Sequence, residues 1–245
     1  MSAPLVSLRQ YQAEVFRNPL GILFFIWRRQ CGKSFALANI GLDWMLETAG
    51  ITVVFMSAAL RLGQENIRKE AEVWRAVTNA MRAKMNEHGQ YQLTTNADDD
   101  GGHLLDVDAV ADLMENQKLE CRLFHDNATY SRSIVIAPNP DTAVGFTGYL
   151  ILDEVGRTPY FREVWEAALP FAESNPNFLI RGATTPPPND DHFSYELLAD
   201  KGQAFTPSPV GTFYRSLAGI PVHRLDAHDA AMAGIPLHDL ESRQP

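Results

Sequence analysis

Short apolar runs alternate with segments of helical spacing along this chain. The runs ILFFIW (22–27) and ITVVFM (51–56) are apolar throughout, and a helical pattern follows each of them. Continuous apolar runs are typical of strands covered on both faces, and their alternation with helices is typical of parallel sheets. Further buried strands are predicted at 149–153 and 178–184, with a helix between them at about 160–172. The sequence therefore predicts an α/β fold whose central, mainly parallel β-sheet is flanked by helices on both faces.

Weaker patterns cover the rest of the chain. A short helix is predicted near 106–117, and the runs at 119–124 and 133–138 suit a hairpin. Residues 206–245 are rich in proline and glycine and contain no long periodic segment, which favours a linker or lid with one short helix near 226–233. The predicted organisation is a folded core over residues 1–205 followed by this linker or lid.

Composition and charge limit the classes of function. Of the 245 residues, 45% are hydrophobic and 21% are charged, which is typical of globular proteins. The net charge of −9 opposes general binding to nucleic-acid phosphates, so any contact with DNA has to be local. The 2 cysteines lie far apart and indicate neither a disulfide framework nor a zinc site. The longest apolar run is far shorter than the roughly 20 residues of a membrane helix, so no membrane association is predicted.

A candidate phosphate-binding loop follows the first predicted strand. The segment RRQCGKS (28–34) lies between an apolar strand and an amphipathic helix, which is the position of a Walker A motif, or P-loop. In that motif the backbone N–H groups face the phosphates, Lys reaches the β- and γ-phosphates, and the hydroxyl binds Mg²⁺. The match is incomplete because Trp27 stands where the motif has its first glycine. The candidate nucleotide-binding residues are Arg28, Gln30, Cys31, Gly32, Lys33 and Ser34.

Two carboxylates end a second apolar strand, as in a Walker B motif. Asp153 and Glu154 follow YLIL (149–152), and ligands of open α/β sheets bind at the carboxyl ends of the strands. In a P-loop NTPase the first acid helps to hold Mg²⁺ and the second orients the attacking water. We therefore expect an ATPase of the RecA/ASCE-like P-loop class, with ATP and Mg²⁺ as ligands, Ser34 and Asp153 on the metal side, and Glu154 as the catalytic base.

Five segments resemble the large terminase subunit of tailed bacteriophages, the ATPase that drives DNA into the capsid. They are LRQYQ (8–12), RRQCGKS (28–34), VVFMSA (53–58), GFTGYLILDE (145–154), and ATTPPP followed by HFSYELL (183–198). Together they span most of the first 200 residues. The loop with few glycines and an arginine before Q-x-G-K-S is similar to the terminase form of the P-loop, so the glycine missing at Trp27 favours this family.

The resemblance implies roles for residues near the phosphate site. Arg29 would be a cis-acting arginine finger that stabilises the γ-phosphate in the transition state, the alternative being an ordinary ion pair of Arg28 or Arg29. Gln12, with Tyr11 beside it, would recognise adenine, the alternative being a polar position on an amphipathic helix.

It also implies a coupling element at the end of a buried strand. Thr184 and Thr185 would sense the γ-phosphate and transmit hydrolysis to movement, although threonine also simply suits strands and turns. One departure is Val144, where terminases often carry an arginine.

The implied function is ATP hydrolysis coupled to translocation of double-stranded DNA into a capsid. The implied partners are DNA, the portal and the small terminase subunit, with a homo-oligomeric ring as the active form and the bacterial cytoplasm as its location. Terminases continue into a nuclease domain, so the chain is expected to be the ATPase half alone, without nuclease activity. Two alternatives stay open: a helicase-like ATPase dependent on nucleic acid, and a small-molecule P-loop kinase.

A row of arginines marks the helix predicted after the second strand. Arg61, Arg68, Arg75 and Arg82 recur every 7 residues and so lie on one edge of the helix. They could contact DNA phosphates or a neighbouring subunit. The alternative is pairing within a solvated helix face, of Arg61 with Glu65 and of Arg68 with Glu72.

Overall fold

The computed structural model describes most of the chain. The described residues are 7–88, 92–93, 103–104, 114–116, 119–126, 128–139, 148–174, 177–186 and 191–236. Val144 and the start of the predicted segment 145–154 lie outside them. The side chain of Arg82 is also outside the description, although its backbone belongs to a described helix.

The described helices and strands follow the predicted alternation through most of the chain. The helices are α1 (Gln10–Phe16), α2 (Lys33–Glu47), α3 (Leu60–His88), α4 (Phe161–Ser174), α5 (Phe193–Leu198) and α6 (Ala227–Met232). The strands are β1 (Ile22–Trp27), β2 (Thr52–Ser57), β3 (Gln92–Leu93), β4 (His103–Leu104), β5 (Met114–Asn116), β6 (Glu120–Phe124), β7 (Tyr130–Ile136), β8 (Tyr149–Asp153), β9 (Ile180–Thr184), β10 (Thr212–Arg215) and β11 (Pro221–Leu225).

Within the described residues, 9 strands form one sheet. Their order is β10-β11-β1-β9-β8-β2-β7-β6-β5. The run from β11 to β7 is parallel throughout, and β10, β6 and β5 add antiparallel edges. The prediction of a central, mainly parallel sheet is confirmed. Because the parallel strands end at the same edge, Trp27, Asp153 and Thr184 lie near one another.

Helices cover both faces of this sheet, as predicted. One apolar cluster joins β1 side chains such as Phe25 to α1, α2 and α3, and a second joins Phe24 to α4 and α5. Consecutive residues of β1 therefore enter opposite cores, which is why the whole strand is apolar. Gly182 is required on β9 because a Cβ there would lie 2.1 Å from the ring of Phe24.

The prediction of a linker or lid over residues 206–245 is wrong for its described part. β11 pairs in parallel with β1, and β10 forms a hairpin with β11, so both strands belong to the main sheet. The short helix predicted near 226–233 is present as α6, and Asp226 caps it by accepting a hydrogen bond from the backbone N–H of Asp229. The pattern failed because β10 and β11 are short strands in a glycine- and proline-rich segment, and pairing with β1 places them in the sheet.

The segment near 106–117 also differs from its prediction. Its described part, Met114–Asn116, is an edge strand paired with β6 and not the end of a helix. The hairpin expected next is present as β6 and β7. Among the helices in the described ranges, none is both long and apolar enough to cross a membrane.

Candidate nucleotide site

The loop between β1 and α2 has the tight backbone of a phosphate cradle. Gln30 and Gly32 adopt positive φ angles of 64° and 73°, and α2 begins directly afterwards at Lys33. A Cβ at Gly32 would also lie 2.6 Å from Nε2 of Gln12, so this position needs glycine for both its φ angle and its space. The first N–H groups of α2 have no acceptor within the helix, which makes this terminus suited to an anion.

Lys33 extends across this loop. Its Nζ donates to the backbone carbonyls of Trp27, at 3.3 Å, and of Arg28, at 3.4 Å. Burial lowers the pKa of Lys33, and the carboxylates of Glu154 and Asp153 oppose this by favouring the charged ammonium. The ammonium is thus held within the loop by weak neutral acceptors that a phosphate oxygen could replace.

Ser34 and Asp153 meet across the sheet edge. The Ser34 hydroxyl donates to Oδ2 of Asp153 at 2.9 Å, although the two residues are 119 positions apart. The same oxygen accepts a hydrogen bond of 3.1 Å from the amide of Asn66 on α3. Burial raises the pKa of the Asp153 carboxyl, while the bonds from Asn66 and Ser34 oppose the rise.

Glu154 stands beside Asp153 in a left-handed backbone conformation, with φ 57° and ψ 46°. This conformation is uncommon for a residue other than glycine and recurs at functional sites. Oε1 of Glu154 accepts a 2.6 Å hydrogen bond from the Thr185 hydroxyl. Thr184 accepts from the N–H of Gly156 at 3.0 Å, so the end of β9 is bonded to the turn that follows both acids. The predicted coupling residues therefore contact the Walker B segment directly.

Arginines converge on a cavity of about 740 Å³ beside the loop. Arg28, Arg29 and Arg157 line it together with Thr185. Arg29 is exposed, and Nε of Arg157 lies 3.8 Å from Oε1 of Glu154. Positive charge is thus present on the side of the loop where Glu154 and Thr185 lie.

The structure places Tyr11 and Gln12 behind the loop. Tyr11 is 1% exposed, its hydroxyl donates to the carbonyl of Cys31 at 2.9 Å, and its ring contacts Trp27 edge to face. Contact of Tyr11 with a nucleotide is therefore corrected to a structural role, because its ring belongs to the core. The amide of Gln12 bonds the carbonyl of Gly32 and the N–H of Arg9, so its recognition of adenine stays a prediction.

The arginine row on α3 is exposed over its described part. Arg61, Arg68 and Arg75 all face solvent. Arg68 bonds Glu72 at 3.0 Å and lies 4.0 Å from Glu65, so the predicted pairing of Arg68 with Glu72 is confirmed. The pairing of Arg61 with Glu65 is wrong, since Glu65 faces the arginine one turn further along the helix.

Asn66 and Arg157 are site residues that the sequence reasoning missed. Asn66 is fully buried and bonds Asp153, and Arg157 lies beside Glu154. A signal for Asn66 exists in the sequence: Asn66 and Glu70 are polar residues four apart, each beside an apolar residue of the stripe that α3 buries. Arg157 has no such signal, because arginines are common on exposed turns.

The oxygen atoms at this edge suit a magnesium ion. Mg²⁺ binds hydroxyl and carboxylate oxygens and usually retains several waters and phosphate oxygens as its other ligands. The Ser34 hydroxyl and the Asp153 carboxylate are already in hydrogen-bond contact, and both lie beside Lys33, the phosphate-binding candidate. The donor set therefore fits a metal that accompanies a bound nucleotide.

Comparison with solved structures gives the same fold for this chain. The large terminase ATPase domain of Thermus phage P74-26 aligns with a TM-score of 0.55 and 16% identity, over 96% of this chain and 90% of that chain. The large terminase of another thermophilic bacteriophage aligns with a TM-score of 0.52 and 12% identity, over 92% of this chain and 48% of that chain. The same terminase in complex with ADP aligns with a TM-score of 0.50 and 10% identity, over 89% of this chain and 45% of that chain.

Sequence comparisons add no relative. No protein-family model matches the chain, and the search of curated proteins found no match. The fold predicted from the resemblance is confirmed by the structures alone. The chain folds as a P-loop NTPase, and this fold is similar to that of phage large terminase ATPase domains.

Proposed function

We propose that this chain hydrolyses ATP with Mg²⁺. The observation that carries the proposal is the meeting of Ser34, Asp153 and Glu154 at one sheet edge, with Lys33 in the preceding loop. Lys33 and the N–H groups that begin α2 would bind the phosphates, and Ser34 and Asp153 would hold Mg²⁺, which neutralises charge on the phosphates when bound. The ADP complex of the similar large terminase from a thermophilic bacteriophage supports a nucleotide ligand.

Glu154 is the residue best placed to orient a water for attack. Its carboxylate stands next to the proposed metal ligand and is held by Thr185 at 2.6 Å. Arg29 and Arg157 line the cavity on this side and would supply positive charge to the γ-phosphate in the transition state. Because Arg29 belongs to the loop itself, it would act in cis.

Steady-state ATPase activity tests these roles. Lys33→Ala is expected to weaken nucleotide binding and abolish turnover, whereas Glu154→Gln should keep bound ATP and lose hydrolysis. The control is Glu166→Gln, on the exposed face of α4, which should behave as wild type. Equal loss of nucleotide affinity in the Lys33 and Glu154 variants would mean that Glu154 is structural. Phosphate transfer to a small acceptor in preference to water would replace the ATPase with a kinase.

We further propose that hydrolysis drives double-stranded DNA into a phage capsid. The similarity of the fold to large terminase ATPase domains supports this function over that of a helicase-like ATPase. In this function the chain would act as a homo-oligomeric ring with a portal and a small terminase subunit, in the cytoplasm of a bacterial host. The candidate DNA or subunit contact is the exposed edge of α3 at Arg61, Arg68 and Arg75.

DNA affinity measured over a range of salt concentrations tests the α3 edge. Arg61→Ala with Arg75→Ala should weaken binding to duplex DNA and flatten its salt dependence by about one unit of slope for each lost phosphate contact. Arg162→Ala, on the exposed side of α4, is the matched control. Unchanged affinity and slope in the double variant would exclude this edge from DNA binding.

A further inference from the structure

Asn66 is a fully buried amide whose hydrogen-bonding capacity is only partly used. Its relative exposure is 0%. Its Nδ2 donates to Oδ2 of Asp153 at 3.1 Å, while its Oδ1 has no hydrogen-bond partner among the described residues. A buried polar atom without a partner carries a desolvation cost comparable to the gain from one hydrogen bond. Stability alone therefore gives little reason for an amide at this position.

The bond to Asp153 gives a different reason. Oδ2 of Asp153 accepts from Ser34, at the start of α2, and from Asn66, on α3. Two donors from two separate helices hold the carboxylate on the strand from different directions. An acid so held keeps its orientation when the Ser34 hydroxyl turns from the carboxylate towards a ligand.

We propose that Asn66 is a positioning residue that orients Asp153 for binding of the Mg²⁺–nucleotide complex. This inference rests on the proposed function, because it assumes that Asp153 faces the metal. Partners that orient a metal ligand through a hydrogen bond commonly affect metal affinity by about 10- to 100-fold. Asn66 reaches the site from a helix that contributes no other residue to it among those described.

Two variants separate this role from packing. Asn66→Leu removes the donor and keeps a similar volume, and Asn66→Ala removes the donor and leaves space. Both should reduce the tightening of ADP binding by Mg²⁺ about 10- to 100-fold, and both should leave affinity in EDTA near the wild-type value. Thermal unfolding should distinguish the two variants, since only Asn66→Ala leaves a cavity.

The measurement is the affinity of a fluorescent ADP analogue in Mg²⁺ and in EDTA, expressed as a ratio. Glu70→Gln is the matched control, because Glu70 is equally buried one turn further along α3 but bonds Ser133 instead of a site residue. This control should keep the wild-type ratio. A wild-type ratio in either folded Asn66 variant would overturn the inference, and so would an equal loss of affinity in Mg²⁺ and in EDTA.

The wild-type protein tells the two proposals apart. If Mg²⁺ does not strengthen its ADP binding, the proposed metal site fails and the role of Asn66 fails with it. If Mg²⁺ strengthens binding in the wild type and equally in both Asn66 variants, the metal site stands and only the positioning role is wrong.

Discussion

Replacing Glu70 with glutamine should stabilise the protein, and more so as the pH rises. Glu70 has 0% relative exposure and lies between α3, β7 and α2. Its Oε1 accepts a hydrogen bond of 2.9 Å from Ser133, and its Oε2 has no partner among the described residues. Burial raises the pKa of Glu70 from 4.5 to about 8. At neutral pH the folded protein therefore holds a proton that the unfolded chain has released.

The sign of the effect follows from that proton. Because the folded protein binds more protons than the unfolded chain between pH 4.5 and about 8, its stability falls as the pH rises through this window. A shift of this size is equivalent to about 5 kcal/mol over the whole window, of which about 2 kcal/mol falls between pH 6 and 8. Glutamine keeps the acceptor for Ser133 and cannot ionise, so this contribution should vanish.

Urea unfolding of the wild type and Glu70→Gln at pH 6 and pH 8 measures the difference. The free energy of unfolding of the variant should exceed that of the wild type by about 2 kcal/mol more at the higher pH. Glu72→Gln, on the exposed side of the same helix, should show no such dependence. A stability difference between wild type and Glu70→Gln that is the same at both pH values would refute a neutral, buried Glu70.

Three further outcomes are expected. Gly182→Ala should destabilise the fold by about 1–3 kcal/mol in urea unfolding, because its Cβ would lie 2.1 Å from a ring on β1, whereas Gly21→Ala has space and should not. Burial lowers the pKa of His223 from 6.5 to about 4, so stability present above the higher value should fall by about 3 kcal/mol as acid is added down to the lower one, and acid unfolding of His223→Gln should lack this component. Thr185→Val should lower ATP turnover about 10-fold with little change in nucleotide affinity, because it removes the donor to Glu154, while Thr185→Ser should retain turnover; equal rates in both variants would contradict this.

The strands that form the centre of the sheet were predictable because their neighbours on both faces are apolar. β1 and β2 are continuous apolar runs, and such runs carry their burial in the local sequence. The candidate site was predictable for a related reason. Lys33 and Asp153 each directly follow such a strand, and parallel strands end at a common edge.

The edge of the sheet at β10 and β11 was not predictable in this way. These strands have 4 and 5 residues, and the segment around them has the composition of a loop. Their place depends on pairing with β1, including the bond of the Trp27 ring N–H to His223 across 196 positions. A local pattern carries no information about a partner that distant.

The sequence by itself determined the class of fold, the loop at 28–34 and the two acids at 153 and 154, because each of these is written in neighbouring residues. Only the tertiary structure decided what surrounds them. It brought Asn66 to Asp153, placed Thr185 on Glu154 and buried Tyr11 behind the loop. These contacts depend on the path of the chain between distant segments, and the hydrogen bond that positions a carboxylate exists only once that path is folded.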